Sequence, residues 1–173
     1  PRVRRHDGHI GGAAVTRSSW HVRVSGIVLG WLLVAGAVAL FHRQVSAAPW
    51  LLVHLLLLGA VTNALFIWTS HFSLALLRLP DPGDRHGEIA RLALLNTAVV
   101  TITFGVVLGR SAVVVGGATL LTAALLAHVI MLLGRVRRAL PSRFAMTVHA
   151  YVAAAILLLP GIALGVGLVV GAV

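Results

Sequence analysis

Apolar residues fill most of the chain after residue 21, in runs of about 20 residues separated by short polar turns. A helix rises about 1.5 Å per residue, so a run of this length crosses the hydrocarbon core of a bilayer. The pattern predicts an all-α integral membrane bundle with five transmembrane helices. We place these spans at residues 22–41, 50–75, 89–108, 112–133 and 144–166, with the last span free to continue beyond Val166.

The composition agrees with this fold class. Of the 173 residues, 59% are hydrophobic and 10% are charged, whereas a soluble domain has about 25% charged residues. All 14 basic residues are arginines, and with four acids they give a net charge of +10. Such a charge can indicate nucleic-acid binding. Here the arginines lie in a tail and in loops beside the spans, so we expect no nucleic-acid partner, and we expect lipid instead.

The arginines also predict the orientation. They concentrate in residues 1–21 and in the loops 78–91 and 134–143, which five spans place on one side of the membrane. Because cytoplasmic loops carry the excess of Arg and Lys, we predict a cytoplasmic N-terminus in a multi-pass protein of the plasma (inner) membrane. Residues 1–21 are then a basic cytoplasmic tail, and residues 22–173 form the transmembrane domain.

The two ends of the chain and its amino-acid composition suggest where the sequence comes from. The chain begins with Pro1 and stops at Val173 directly after an apolar run, so we expect it to be the N-terminal part of a longer protein. Arginine without lysine, together with abundant Ala, Val, Leu and Gly, points to a GC-rich, actinobacterial genome. The absence of cysteine excludes iron–sulfur clusters and thiolate zinc sites within this chain.

Histidine is the abundant metal-ligand type, with nine residues. Imidazole inside a bilayer is costly and is a functional hypothesis by default. His54 is predicted in the outer third of the second span. His71, His128 and His149 are each predicted about 10 Å from the inner basic loops, on three different helices. The polar face of the second span carries His54, Thr62, Thr69 and Ser73 and should point into protein or cofactor.

Imidazole in a membrane can ligate haem iron or copper, relay protons, or bond to another helix. Haem b suits a cysteine-free bundle, so we predict four cofactor-binding residues, His54, His71, His128 and His149. Of these, we name His54, His128 and His149 as metal ligands. The three inner histidines could share a metal only if the second, fourth and fifth spans are neighbours. The alternative that they make only structural hydrogen bonds stays open.

A family resemblance is carried by the segment HLLLLGAVTNALFIWTSHF at residues 54–72, followed by LLR at 76–78 and RLALLN at 91–96. The segment resembles the N-terminal membrane region of actinobacterial proteins that carry a copper nitrite reductase or multicopper oxidase domain. It is also distantly similar to NnrS-type proteins and to subunit I of haem–copper oxidases. The resemblance implies that His54 matches a low-spin haem ligand, whose partner histidine lies on a later helix that this chain lacks.

The resemblance further implies copper in a downstream or partner cupredoxin domain, and quinol or a cytochrome as electron donor. We therefore expect a haem-binding electron-transfer module that feeds an outer-face copper enzyme of nitrite, nitric oxide or oxygen chemistry. No catalytic residue is assigned to the chain itself. The alternatives are a non-catalytic membrane anchor or assembly subunit with structural histidines, and a small metal-ion transporter. A homo-oligomer is compatible with each of these.

Overall fold

The chain folds into a bundle of helices. The computed structural model describes residues 10–45, 47–80, 85–140 and 143–171, with the backbone alone for residues 10–21 and 23. Five helices and no strand occur in this part of the chain, which confirms the all-α prediction. The helices are α1 (Ile10–Leu40), α2 (Ala48–Leu76), α3 (His86–Val107), α4 (Ser111–Arg138) and α5 (Ala145–Gly171).

Four of the helices, α2 to α5, are long and apolar enough to cross a membrane, so the protein is a helical membrane protein. In α1 the apolar segment is shorter and covers Val24–Leu40, and its role as a fifth span stays a prediction. Helix α1 begins at Ile10, within the predicted basic tail. Residues 1–9 of that tail lie outside the described residues.

Two of the helices end with the same backbone motif, in which a residue with positive φ follows the last turn. At the end of α3 this residue is Gly109, with φ 61°, and the amides of Gly109 and Arg110 bond back to Val106 and Gly105. At the end of α2 it is Arg78, with φ 53°, and the same pair of bonds is present. Glycine is the usual residue there because it has no Cβ to clash, so the backbone of Arg78 is strained.

Helix α2 occupies the centre of the bundle and contacts the other four helices. Its first half packs against α1 and α3, and its second half also packs against α4 and α5. The second, fourth and fifth predicted spans are therefore neighbours, which was the condition for their histidines to meet. Inside α2, Leu55–Val61 forms a wider π-helical turn, directly after His54. Such π segments are frequently found at functional sites.

Helices α3 and α4 make the closest contact in the bundle, because two glycines let their backbones approach. A Cβ at Gly105 would lie 2.8 Å from the backbone nitrogen of Val114. A Cβ at Gly117 would lie 2.8 Å from the backbone nitrogen of Ile102. Gly59 in α2 has a similar role against α1, since its Cβ would lie 2.8 Å from the Trp31 ring. Small residues are enriched at such membrane-helix contacts.

The apolar core runs along the inner faces of α2, α3 and α4. Its fully buried members include Ile67, Leu95, Leu121 and Leu125. Helix α5 lies at the edge of the bundle, with 6% of its most apolar segment buried. The buried side chains of α5 are Val148 and Val152, which pack with Leu132. Most of α5 therefore faces lipid or another protein.

Candidate functional site

A cluster of polar side chains near the middle of α2 and α3 joins these two helices to α1. The side-chain amide of Asn96 donates to Asn63 Oδ1 at 2.9 Å, and that of Asn63 donates back to Asn96 Oδ1 at 3.3 Å. Trp31 Nε1 also donates to Asn96 Oδ1, at 2.6 Å. Asn63 is fully buried. Without these bonds, the polar groups would be buried in an apolar interior without hydrogen-bond partners. The bonds also connect three helices.

A second polar contact joins α4 to the C-terminal half of α2. The Arg135 guanidinium donates to the Ser73 hydroxyl at 2.7 Å, to the Ser70 hydroxyl at 3.1 Å and to the Ser70 carbonyl oxygen. Both serines are buried, and Arg135 is partly buried. Charge-assisted bonds of this kind are stronger than neutral ones. Arg135 thus holds the end of α2 against α4.

His128 is the buried histidine of the described part of the chain, with 3% of its surface exposed. Its Nε2 lies 2.9 Å from Thr69 Oγ1, and its ring stacks on Phe66 with 4.1 Å between the centroids. Thr69 donates its single hydroxyl proton to the Leu65 carbonyl. Thr69 must therefore accept from His128, which puts the proton of the neutral imidazole on Nε2.

This protonation leaves His128 Nδ1 as a bare lone pair, and Nδ1 has no hydrogen-bond partner. It is the one buried side-chain nitrogen or oxygen in that condition among the described residues. His128 also lines a cleft of about 90 Å³ between α2, α4 and α5. The walls of the cleft are Thr62, Leu65, Phe66, Thr69, Leu125, His128, Tyr151, Ala154, Ala155 and Leu158.

His54 lies half-buried at the start of the π-helical turn in α2. Its Nδ1 is 2.8 Å from the carbonyl oxygen of Trp50, and the two rings stack at 3.7 Å. A carbonyl can only accept, so Nδ1 carries the proton and Nε2 carries the lone pair. A metal-bound histidine commonly has this arrangement, in which the second ring nitrogen donates to a backbone carbonyl.

The other two predicted ligands are exposed. His149 donates Nδ1–H to the Ala145 carbonyl at 2.8 Å, and His71 lies edge-on to Trp68 with 6.1 Å between the centroids. The described residues contain no group of three His, Asp or Glu side chains that could hold a metal ion. Packing α2, α4 and α5 together therefore does not gather His71, His128 and His149 into such a group, and their role as ligands stays a prediction.

The polar face predicted for α2 agrees in part with the structure. Thr62, Thr69 and Ser73 are buried against protein, whereas His54 is half-buried. Sequence reasoning missed two hydrogen-bond partners on other helices, Asn96 and Arg135. An isolated asparagine inside an apolar run was an available signal for Asn96. Arg135 looked like an ordinary loop arginine, because seven residues separate it from His128 and the predicted span ended before it.

No family model matches the chain, and neither a curated protein nor a solved structure matches it.

Proposed function

We propose that the chain is a membrane subunit that holds one haem b through His54 and passes electrons to a redox enzyme on the outer side. The supporting observation is the state of the His54 ring. Its Nδ1–H is fixed on the Trp50 carbonyl and its face is stacked on the Trp50 ring. The Nε2 lone pair is then held in one orientation, which is what an axial haem ligand requires.

Haem fits this donor set better than a free metal ion. A copper ion in a histidine site needs two or three imidazoles, and the described residues contain no group of three His, Asp or Glu side chains that could hold a metal ion. Haem iron already has four porphyrin nitrogens and needs only axial ligands, so one histidine of this chain is enough. When bound, haem carries single electrons. His54 would orient it, and Trp50 would shield one face of the imidazole from water.

The haem would lie beside the half-buried His54 and not in the cleft beside His128. The cleft beside His128 has a volume of about 90 Å³, whereas pockets that bind drug-sized ligands measure about 300–1,000 Å³. The cleft is therefore too small for haem. In the proposal, a second axial ligand and the rest of the pocket come from outside this bundle, either from later helices of a longer chain or from a partner. His71, His128 and His149 are then not required as haem ligands.

The proposed topology has five spans, a cytoplasmic N-terminus and the plasma membrane as its location. Two observations support it. Trp31 of α1 bonds to Asn96 of α3, as expected if α1 belongs to the membrane bundle. The antiparallel helices gather Arg78, Arg85 and Arg135 at one end, and Arg110 lies at the other. In this orientation His54 faces the outer half, where a copper enzyme of nitrite, nitric oxide or oxygen chemistry would receive electrons from quinol or cytochrome.

The test is absorbance of the purified protein, expressed with added haem precursor. We expect a Soret band that His54→Ala abolishes or shifts. His149→Ala is the matched control, because His149 makes the same bond to the carbonyl four residues earlier but is exposed, and it should leave the band unchanged. The absence of any Soret band and of bound iron in the purified wild-type protein would overturn the proposal.

A second function is favoured by the bonds between helices. Asn63, Asn96, Thr69 and Arg135 each connect two helices, which is the role that a non-catalytic anchor or assembly subunit needs. In that case the histidines are structural, the wild-type protein binds no haem, and His54→Ala affects neither the fold nor the recovery of a partner. Co-purification of an outer-face redox protein without bound haem would favour this second function.

A further inference from the structure

We propose that the end of α4 and the start of α5 together bind the headgroup of an anionic phospholipid, through the exposed guanidinium groups of Arg137, Arg138 and Arg143. The inference stands apart from the haem proposal, because it uses neither His54 nor a redox cofactor. It follows from an excess of positive charge, from the packing that brings the arginines together, and from the exposed apolar side chains beside them.

The charge at this place is not balanced. The segment 134–143 carries four arginines and no acid, whereas the loop 78–91 carries three arginines and three acids. The acidic residue of the described part of the chain is Glu88, and its ion pair is with Arg85, at 3.7 Å. Of the four arginines, Arg135 is bound to the serines of α2. The other three are exposed, and their guanidinium groups form no hydrogen bond or ion pair with a described residue.

Packing at the end of the bundle keeps these arginines near one another. Ala139 and Ala145 both pack against the apolar cluster that contains Leu132, so the end of α4 and the start of α5 lie side by side. Arg138 is the last residue of α4, and Arg143 lies two residues before α5. Guanidinium groups bind phosphate oxygens with charge-assisted hydrogen bonds. The phosphodiester of a lipid headgroup therefore fits between them.

Exposed apolar side chains lie beside the arginines. Leu140 is 85% exposed, Phe144 is 52% exposed and Met146 is 82% exposed. Because α5 begins at Ala145 and is long and apolar enough to cross a membrane, these side chains lie where the span meets the membrane surface. There, apolar side chains enter the acyl boundary while arginines reach the phosphate groups. A phospholipid contacts both kinds of group, whereas a small anion or an acidic peptide matches the charges alone.

Arginines at this position also have two general roles. Basic residues in the last turn of a helix interact favourably with its dipole, and basic loops set the orientation of a membrane protein. Neither role requires apolar side chains exposed next to the charge, and neither makes the protein select one lipid over another. A headgroup site does both, since each arginine near the surface strengthens the attraction of anionic lipid by about fivefold.

The experiment is native mass spectrometry of the full chain released from detergent micelles, with titration by palmitoyl-oleoyl phosphatidylglycerol or by phosphatidylcholine of the same acyl chains. We expect the first phosphatidylglycerol to bind at least about tenfold more tightly than the first phosphatidylcholine. Glycerol phosphate has the phosphate group without acyl chains, and decaglutamate represents an acidic protein surface. Neither should displace phosphatidylglycerol at the same concentration.

Two double variants with the same change of charge locate the site. Arg137→Gln with Arg138→Gln should weaken phosphatidylglycerol binding by about tenfold or more and leave phosphatidylcholine binding unchanged. Arg43→Gln with Arg110→Gln removes two exposed arginines from the opposite end of the bundle and should bind as the wild type does. Arg143→Gln changes a residue outside the helices, so it tests the site even if the double variant in α4 loses helix. Its expected loss of affinity is about fivefold.

Three results would overturn the proposal. The first is phosphatidylglycerol binding that is absent or no tighter than phosphatidylcholine binding. The second is an equal affinity in the two double variants, because the net charge of the protein, and not this site, would then determine binding. The third is displacement of the lipid by glycerol phosphate or by decaglutamate at the same concentration, which would mean that the surface recognises a small anion or an acidic protein.

Discussion

Asn63 and Asn96 bond to each other in both directions across the contact between α2 and α3, with donor–acceptor distances of 3.3 and 2.9 Å. Each amide uses its remaining hydrogen on a carbonyl in its own helix, Gly59 for Asn63 and Leu92 for Asn96. All the side-chain amide hydrogens of the pair therefore have acceptors. The bond from Trp31 to Asn96 connects α1 to the pair.

The pair should behave as one energetic unit. Asn63→Ala and Asn96→Ala should each destabilise the bundle, because each leaves a partner amide without its bond in an apolar interior. The double variant should be more stable than the sum of the two effects predicts, with a coupling of about 0.6–2 kcal/mol. Unfolding by SDS in mixed micelles, followed by circular dichroism, measures the three variants against wild type. Additive effects would show that the two amides do not interact.

Gly117 and Gly116 offer an adjacent pair of glycines in different surroundings. A methyl group at Gly117 would lie 2.8 Å from the Ile102 backbone nitrogen, whereas nothing lies within 4 Å of one at Gly116. Gly117→Ala should force α3 and α4 apart and destabilise the protein by about 1–3 kcal/mol. Gly116→Ala should be neutral or slightly stabilising, since alanine favours helix more than glycine does. The same SDS titration compares them, and equal effects would contradict the close contact seen here.

Arg135 and Arg137 provide a test of the contact between α4 and α2. Arg135 donates to Ser70 and Ser73, while Arg137 is exposed. Arg135→Met should lower the free energy of unfolding by about 1–3 kcal/mol, because two buried serines lose a charged donor. Arg137→Met removes the same charge from the same last turn of α4 and should have little effect. A similar loss in both variants would mean that the charge at the end of α4, and not the contact with α2, is responsible.

Arg78 has a backbone conformation that favours glycine, with φ 53°. Arg78→Gly should stabilise the end of α2, by about 1 kcal/mol, because the left-handed region carries a Cβ penalty of that order. Arg78→Ala is the control, since alanine keeps the Cβ and removes the same charge. A melting temperature that rises in the glycine variant and not in the alanine variant would confirm the strain. No difference between the two variants would argue against it.

The amino-acid sequence by itself determined the fold class and the existence of the spans. Backbone amides and carbonyls must be paired inside lipid, so apolar runs of this length become helices whatever their neighbours are. Helices α2 to α5 follow directly from that rule. The polar stripe of α2 is equally local, because a period of 3.6 residues puts Thr62, Thr69 and Ser73 on one side of any helix.

The tertiary structure decided which groups meet. His71, His128 and His149 have similar predicted depths, yet the rotation of each helix leaves two of them exposed and buries His128 against Thr69. Rotation and neighbour choice depend on close packing at positions such as Gly105 and Gly117, which one sequence does not reveal. The same holds for the His128 proton, whose position depends on Thr69 and Leu65 of another helix. The sequence alone predicts how far along its helix each histidine lies, whereas the burial and hydrogen bonding of that histidine depend on how the helices pack.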